Sequence, residues 1–295
     1  MGKCTLVFCV YYVNIPKFVI QDKENIVKKV WGRELWYFSD REENPSYIRL
    51  DGQVISFSEL IKAHRKEIIG SEKYVKFPIL VKLLEINSKI SVQVHPTDEI
   101  ARKLGEKESG KEEVWLLLDR GKIYIGFKRD VKVDELDCNE ILEKMNKFDG
   151  DYLDLFKIDA GVVHYAEKVK ILEVSNNSNI TYRLCDFFGR KTEPDKVLKA
   201  INMKKTDKGS IVCRDGKALL GKFILEIVQI DDTKKFFNEG GFSIFIPIED
   251  KVTIKYGNEL LTLLPLQPCL IPASTTVYEV IGSGGFSVRI SAKGE

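Results

Sequence analysis

Short apolar and β-branched runs, each closed by Gly, Asn or Asp, recur along this chain and limit what it can fold into. They occupy residues 79–86, 90–94, 114–118, 122–127, 170–174 and 180–184, and then 223–230, 242–248, 252–256, 267–271 and 286–290. Runs of this length between turn signals predict strands. Strands that follow strands, with few helices between them, predict a mainly β protein built as a β-sandwich or jelly roll rather than from βαβ units. Helical signals are sparse. One covers 58–69 behind the capping-box pattern Ser56-Phe57-Ser58-Glu59, a short one follows Thr97 and should stop at Gly105, and a third covers 133–145. No glycine-rich nucleotide loop of the GxGxxG or GxxxxGK[ST] kind is present.

Between about 191 and 210 the chain turns polar and lysine-rich around Glu193-Pro194-Asp195-Lys196, which reads as a connection. The expected organisation is therefore a domain over 1–200 and a second β-sandwich over 201–295, the latter without a single histidine. With 44% hydrophobic and 31% charged residues the chain has the composition of a folded soluble protein. Forty-six basic against forty-four acidic residues, with no basic run, exclude a nucleic-acid footprint. The apolar stretch 4–13 is too short to span a bilayer and lacks a small-residue cleavage site, so it reads as a first strand of a cytoplasmic protein with no membrane association. Six cysteines at 4, 9, 138, 185, 213 and 269 show no CxxC pairing, and reduced, mostly buried thiols are expected. The abundance of Lys, Glu and Ile is of the kind found in thermophile proteins.

The chain contains only three histidines, and two stand in strand-like segments beside metal-compatible partners. In Ser91-Val92-Gln93-Val94-His95, residues two apart share a face, so Gln93 and His95 would present a carbonyl oxygen and an imidazole together. His164 follows the turn Ala160-Gly161-Val162-Val163. Gly110-Lys111-Glu112-Glu113-Val114-Trp115 offers a carboxylate, but strand alternation lets only one of Glu112 and Glu113 point inward, and the neighbours do not say which. Gln, His, Glu and His form a mixed nitrogen and oxygen set, compatible with zinc and with other divalent ions. The bland alternative is that each histidine is an ordinary packing residue, as His64 in the first helix is expected to be. Glu173 and Arg183 lie within apolar strand segments, where each needs a partner; an ion pair between them is the structural reading, and a base and an anion-binding cation the functional one.

Four ordered motifs resemble those of the type I phosphomannose isomerase family, which has the cupin fold. Phe77-Pro78-Ile79-Leu80-Val81-Lys82-Leu83-Leu84 running on to Ser91-Val92-Gln93-Val94-His95-Pro96-Thr97-Asp98 resembles FPLLIKLL…LSVQVHPDD. Residues 110–115 resemble GKTEMW, 160–164 resemble AGTVHA, and 172–186 resemble LLEIQQNSDTTYRLYD. The resemblance covers about 30–190, fades in the last third, and fits the short prokaryotic form. It implies two cupin-like jelly-roll domains, one Zn2+ per chain bound by Gln93, His95, Glu113 and His164, and a hexose 6-phosphate substrate. It also implies Lys111 and Arg183 as substrate-pocket cations, in an enzyme that interconverts mannose 6-phosphate and fructose 6-phosphate through a cis-enediol. Glu173 is the candidate base and Asp186 the runner-up. Asp159, Tyr165 and Cys185 depart from the family pattern but spare the ligands. The competing readings are another metal-dependent cupin enzyme, an epimerase or dioxygenase, and a non-catalytic sugar-phosphate sensor.

Overall fold

In a computed structural model, residues 15–50 and 52–292 are described. The predicted first strand at 4–13 lies outside them. In chain order the strands are β1 (Ile26–Lys29), β2 (Gly32–Tyr37), β3 (Tyr47–Leu50), β4 (Gln53–Ser56), β5 (Ile79–Lys89), β6 (Val92–Val94), β7 (Glu113–Leu117), β8 (Gly121–Phe127), β9 (Met145–Gly150), β10 (Leu155–Ile158), β11 (His164–Asn176) and β12 (Tyr182–Cys185). They continue as β13 (Lys217–Leu220), β14 (Phe223–Gln229), β15 (Thr233–Phe237), β16 (Ser243–Pro247), β17 (Val252–Tyr256), β18 (Glu259–Leu263), β19 (Cys269–Ile271), β20 (Val277–Ile281) and β21 (Phe286–Ala292). The helices are α1 (Phe57–Ile69), α2 (Asp98–Lys103), α3 (Ile141–Lys144), α4 (Pro194–Ala200) and α5 (Lys208–Ile211). The protein is mainly β with few helices, as its punctuated apolar runs predict.

The Ser56 and Glu59 capping box is formed and starts α1, while Thr97 caps α2 through the Ile100 amide. The helix expected over 133–145 is not continuous. A 3-10 turn at Val133–Glu135 and the short α3 replace it. Between them the Asp137 carboxylate accepts the Asn139 amide (3.0 Å), a local turn that competes with helix, and Cys138 is tied elsewhere by a disulfide.

The expected division at residue 200 is replaced by an interleaved one. One compact unit comprises 26–35 and 79–220, and the other the described part of 1–25 with 36–78 and 221–295. The polar stretch 191–210 is thus no connection between units: it folds as α4 and the start of α5, with Val197 and Ala200 buried.

In the first unit one ten-stranded sheet follows the order β1-β2-β5-β11-β6-β12, with β11 also pairing β7 and β8, β7 pairing β10 and β8 pairing β9. The pairings of β11 with β5, β6, β7 and β8 are all antiparallel. Its thirteen residues make it the spine of the unit. A core of Leu84, Trp115, Leu117, Ile123, Phe156 and Ile171 fills one part of this unit, and Val92, Val94, Phe127, Val163 and Tyr182 fill another. In the second unit, β14-β21-β16-β19 and β15-β20-β17-β18 form two sheets around Phe236, Phe245, Ile254 and Val280.

Cys138 and Cys185 form a disulfide, which corrects the expectation of reduced thiols throughout. Forty-seven residues separate them in sequence, so no spacing motif announces the pair. Cys213 and Cys269 are free, as expected. Among the described residues, no helix is long and apolar enough to cross a membrane.

Candidate metal centre and active site

Strand register brings the candidate residues into rows. Gln93 on β6 lies opposite His164 of β11 on one side and Arg183 of β12 on the other, so the three share a face. Farther along β11, Glu173 lies opposite Lys82 of β5 and Trp115 of β7, and Ser175 lies opposite Glu113. His164 and Glu173 are nine residues apart, an odd separation that in a regular strand puts them on opposite faces. At a register irregularity between Glu167 and Val169, where β5 advances three residues for two on β11, Lys168 takes the left-handed region (φ 48°), and beyond it Glu173 stands on the face of His164.

Two glycines shape the approach to the site. Gly161 (φ 85°) makes the turn before β11 and donates its amide to His95 O (2.8 Å). At Gly110 a side chain would meet the backbone of Pro96, Thr97 and Asp98 at 2.5 Å, which lets Lys111 N reach Pro96 O (3.0 Å). The Pro96 and Gly110 segments, which carry His95 and Glu113, are thereby held side by side.

His95, Glu113 and His164 are buried, and one ligand atom from each lies within 4.8 Å of the others. His95 Nε2 is 3.3 Å from Glu113 Oε2, and His164 Nε2 is 3.3 Å from Glu113 Oε1. Each imidazole spends Nδ1–H on a backbone carbonyl, His95 on Ile180 O (2.7 Å) and His164 on Val162 O (2.9 Å). Both Nε2 lone pairs therefore face the Glu113 carboxylate. His95 Nε2 and both Glu113 oxygens are buried without a hydrogen bond of acceptable geometry, the state expected of atoms whose partner is a cation. Trp115 stands edge-on to the His164 ring at 5.3 Å and fixes its plane.

Gln93 is beside this group with its amide nitrogen, not its oxygen, toward His164 (Nε2 to Nε2, 3.1 Å), while its Oε1 accepts from Ser91 Oγ (3.2 Å). That orientation suits a neutral imidazole acceptor. Ligation through oxygen requires the amide to turn over, an exchange of atoms that differ little in shape. Two nitrogens, a carboxylate and an amide oxygen in a buried pocket fit a divalent ion of zinc type. The ambiguity between neighbouring glutamates is resolved geometrically: Glu113 is fully buried at the histidines, and Glu112 is half-buried with its amide on Asn176 Oδ1.

Against this group lies a cavity of about 160 Å³ lined by Lys82, Gln93, Lys111, Glu173 and Arg183, with Lys29, Glu34 and Arg190 also contributing. Lys111 Nζ sits 2.6 Å from Glu113 Oε2 and donates to Glu173 Oε1 (3.0 Å). Burial alone would strip its proton, but the two carboxylates outweigh burial and raise its pKa. Glu113 is the mirror case: burial favours its neutral form, yet Lys111 and the two imidazoles hold it well below the usual carboxylate range. Burial pushes the His164 imidazole down to about 3 and the His95 imidazole down as well, so both are neutral at neutral pH.

Glu173 is also near Lys82 Nζ (3.7 Å); its ion pairs are with Lys111 and Lys82 and not with Arg183. Arg183 Nε is buried without a hydrogen-bond partner among the described residues. Asp186 is engaged otherwise, by Arg190 Nε (2.8 Å) and the amides of Phe188 and Arg190. His64 is buried in α1 of the other unit, and plays no part in this cluster.

Lys82 was not singled out by sequence reasoning. It is 3% exposed, donates to Asn179 Oδ1 (2.9 Å) and has its pKa lowered by burial, which Glu34 and Glu173 only partly oppose. Its signal was present: a lone lysine inside the apolar run 77–84 is as costly as the lone glutamate at 173.

Residues 14–113 match the family model for the catalytic domain of phosphomannose isomerase type I. A solved structure from Archaeoglobus fulgidus, described as a "putative mannosephosphate isomerase", is 34% identical to this chain and superposes over 95% of it and 99% of its own length with a TM-score of 0.89. The chain belongs to the type I phosphomannose isomerase family. The mannose 6-phosphate isomerase structure from Bacillus subtilis shares the fold, with a TM-score of 0.83 over 94% of this chain and 99% of its own at 21% identity. Among curated relatives, mannose-6-phosphate isomerase ManA of Bacillus subtilis is 32% identical over 185 residues, 59% of this chain and 56% of the relative. The match thus spans little more than half the length of that relative.

Proposed function

We propose that this protein is a zinc-dependent aldose-ketose isomerase that interconverts mannose 6-phosphate and fructose 6-phosphate through a cis-enediol, with one zinc held by Gln93, His95, Glu113 and His164. The observation that carries the reading is the convergence of buried candidate ligand atoms from His95, Glu113 and His164 on a cavity that also holds Glu173 between two ammonium groups. When bound, zinc would supply a Lewis acid that polarises the oxygens of the sugar.

The other steps belong to side chains. Glu173 takes the proton from C2 of the open-chain aldose and returns it to C1, while the C1 carbonyl becomes a hydroxyl and the C2 hydroxyl a carbonyl, so that no atom enters or leaves. Lys111 and Lys82 hold the Glu173 carboxylate in place, and with Arg183 they set positive charge where oxygen becomes anionic. Arg183, Lys29 and Arg190 make the cavity suited to a phosphate dianion. Catalysis is assigned to the unit of 26–35 and 79–220, which contains every one of these residues, and the enzyme is placed in the cytoplasm, where sugar phosphates are made and used. The test is turnover of mannose 6-phosphate by the purified protein, lost on chelation, restored by zinc and abolished in His95→Ala. Stoichiometric zinc without turnover sinks the reading.

A further inference from the structure

The segment 177–181 joins β11 to β12 outside any ladder, so its backbone groups need partners elsewhere. Two oxygens of this turn face the site. Ile180 O accepts His95 Nδ1–H (2.7 Å) and so fixes the tautomer that leaves Nε2 free. Asn179 Oδ1 accepts from Lys82 Nζ (2.9 Å) and so holds the buried ammonium next to Glu173. One turn therefore sets both a candidate metal ligand and a candidate substrate-pocket cation.

What holds the turn is the loop after α2. Glu108 Oε2 accepts the Asn179 amide at 2.6 Å, the Ser178 hydroxyl donates to Ser109 O (2.8 Å), and Glu108 Oε2 lies 3.3 Å from that hydroxyl. The same loop reaches β12, where Glu106 Oε1 accepts from Tyr182 OH (3.0 Å). Glu108 is not among the residues that line the cavity. We propose that Glu108 is a positioning residue of the metal centre, acting through the Asn179 amide to hold Ile180 O on His95 Nδ1–H and Asn179 Oδ1 on Lys82. This assignment rests on the zinc-isomerase reading for its functional meaning, but not for its test.

The turn has no ladder to share the load, so the acceptor oxygen that Glu108 offers the Asn179 amide carries much of it. Loss of the hydrogen bond that orients a ligating histidine costs roughly 10- to 100-fold in metal affinity, and here that bond runs from His95 Nδ1 to Ile180 O. Removing the acceptor frees the Ile180 carbonyl to drift, and the His95 ring with it.

The test uses the whole chain with 15N-labelled histidine, whose three side chains make assignment simple. In metal-free Glu108→Ala, the His95 Nδ1 proton is expected to exchange with solvent at least tenfold faster than in the parent, and the zinc dissociation constant, measured by chelator competition, to rise about tenfold. Glu108→Gln keeps an acceptor oxygen and should recover most of both. An unchanged His95 Nδ1 proton in Glu108→Ala overturns the proposal, as does equal loss in Glu108→Gln, which would point to charge rather than to the hydrogen bond. If Glu108→Ala does not fold, Ser178→Ala, which removes the turn's other tie to the loop, and Glu108→Gln are read in the same assays; parent-like exchange in both overturns it. Neither readout needs turnover, so an inactive but zinc-binding protein would refute the isomerase reading while leaving this result intact.

Discussion

Reduction of the bond between Cys138 and Cys185 is expected to lower stability by about 4 kcal/mol. The bond closes a loop of 47 residues, and the loop-closure entropy it removes from the unfolded chain is about 14 cal/mol/K at that length, hence about 4 kcal/mol at 25 °C. The folded state should survive reduction. β12 keeps its pairing with β6, and Cys185 is 1% exposed among Val92, Val131 and Tyr182, a cluster that packs with or without the bond. For a unit of this size each kcal/mol is worth roughly 2–4 °C, so the transition should fall by roughly 8–16 °C. Cys138 is exposed, which gives a reductant its point of attack. Calorimetry with and without a phosphine reductant measures the shift, with Cys138→Ser as a variant that should no longer respond. Two of six thiols should be blocked, so the unreduced, unfolded chain should titrate no more than four. Six reactive thiols, or the same transition in both conditions, would refute the reasoning.

At the site, Glu113→Gln should abolish zinc binding and cost about 3–5 kcal/mol, because it leaves the buried Lys111 without its nearer carboxylate; denaturant midpoints and zinc per chain report both, and a stable, zinc-loaded variant contradicts the assignment. Glu173→Gln should retain zinc, since Glu173 is not in the ligand cluster, while kcat falls by roughly 10²–10⁴; an active variant removes Glu173 from the role of base. In the metal-free protein, stability should decline as pH drops from 6.5 toward 3. The His164 imidazole has its pKa at about 3 in the fold against 6.5 when free, so the unfolded chain binds more protons in that window and acid favours it; the low pKa of Glu113 works in the same direction below the ordinary carboxylate value. Equal urea midpoints at pH 7 and pH 5 would contradict this.

Eleven of the twenty-one described strands were legible as short apolar runs between turn residues, and 252–256 matches β17 residue for residue; the other ten were not, among them β1 and β15 with their lysine pairs. What period-two reasoning cannot see is a local break in alternation. The irregularity at Lys168 decides that His164 and Glu173 share a face, yet nothing in Glu167-Lys168-Val169 marks it in the sequence. The choice between Glu112 and Glu113 was likewise open to alternation alone, and only the pairing of Glu113 with Ser175 settles which side chain meets the histidines. Long-range closure was invisible for the same reason. Cys138 and Cys185 meet through the path of the chain, and residues 36–78 join 221–295 in one unit although residues 79–220 of the other unit lie between them in sequence. The helix expected over 133–145 failed locally instead, because the Asp137 turn satisfies its own backbone.

The charged groups of the site form a chain rather than a set of pairs. Lys82, Glu173, Lys111 and Glu113 alternate in sign over contacts of 3.7, 3.0 and 2.6 Å, ending 3.3 Å from His95 and His164. Stability gives no reason to bury four charges, since well-packed apolar residues of similar volume are often as good or better. Lys82 and Glu173 have apolar residues on either side in their strands, so packing alone did not demand charge at those two positions. What the chain does supply is coupling. Lys111 lies between the candidate metal ligand and the candidate base, and keeps its proton because both carboxylates are present. A change of charge at Glu113, such as occupation by a cation, is therefore felt at Glu173 through one ammonium, without any movement of the backbone. Lys82, on the far side of Glu173, with an amide oxygen at 2.9 Å and its second carboxylate, Glu34, only at 4.0 Å, is the weaker partner of the two and the one whose proton burial loosens. A carboxylate held between one firm and one loosened cation is placed to receive a proton and to give it back, which is what moving hydrogen between two adjacent carbons requires.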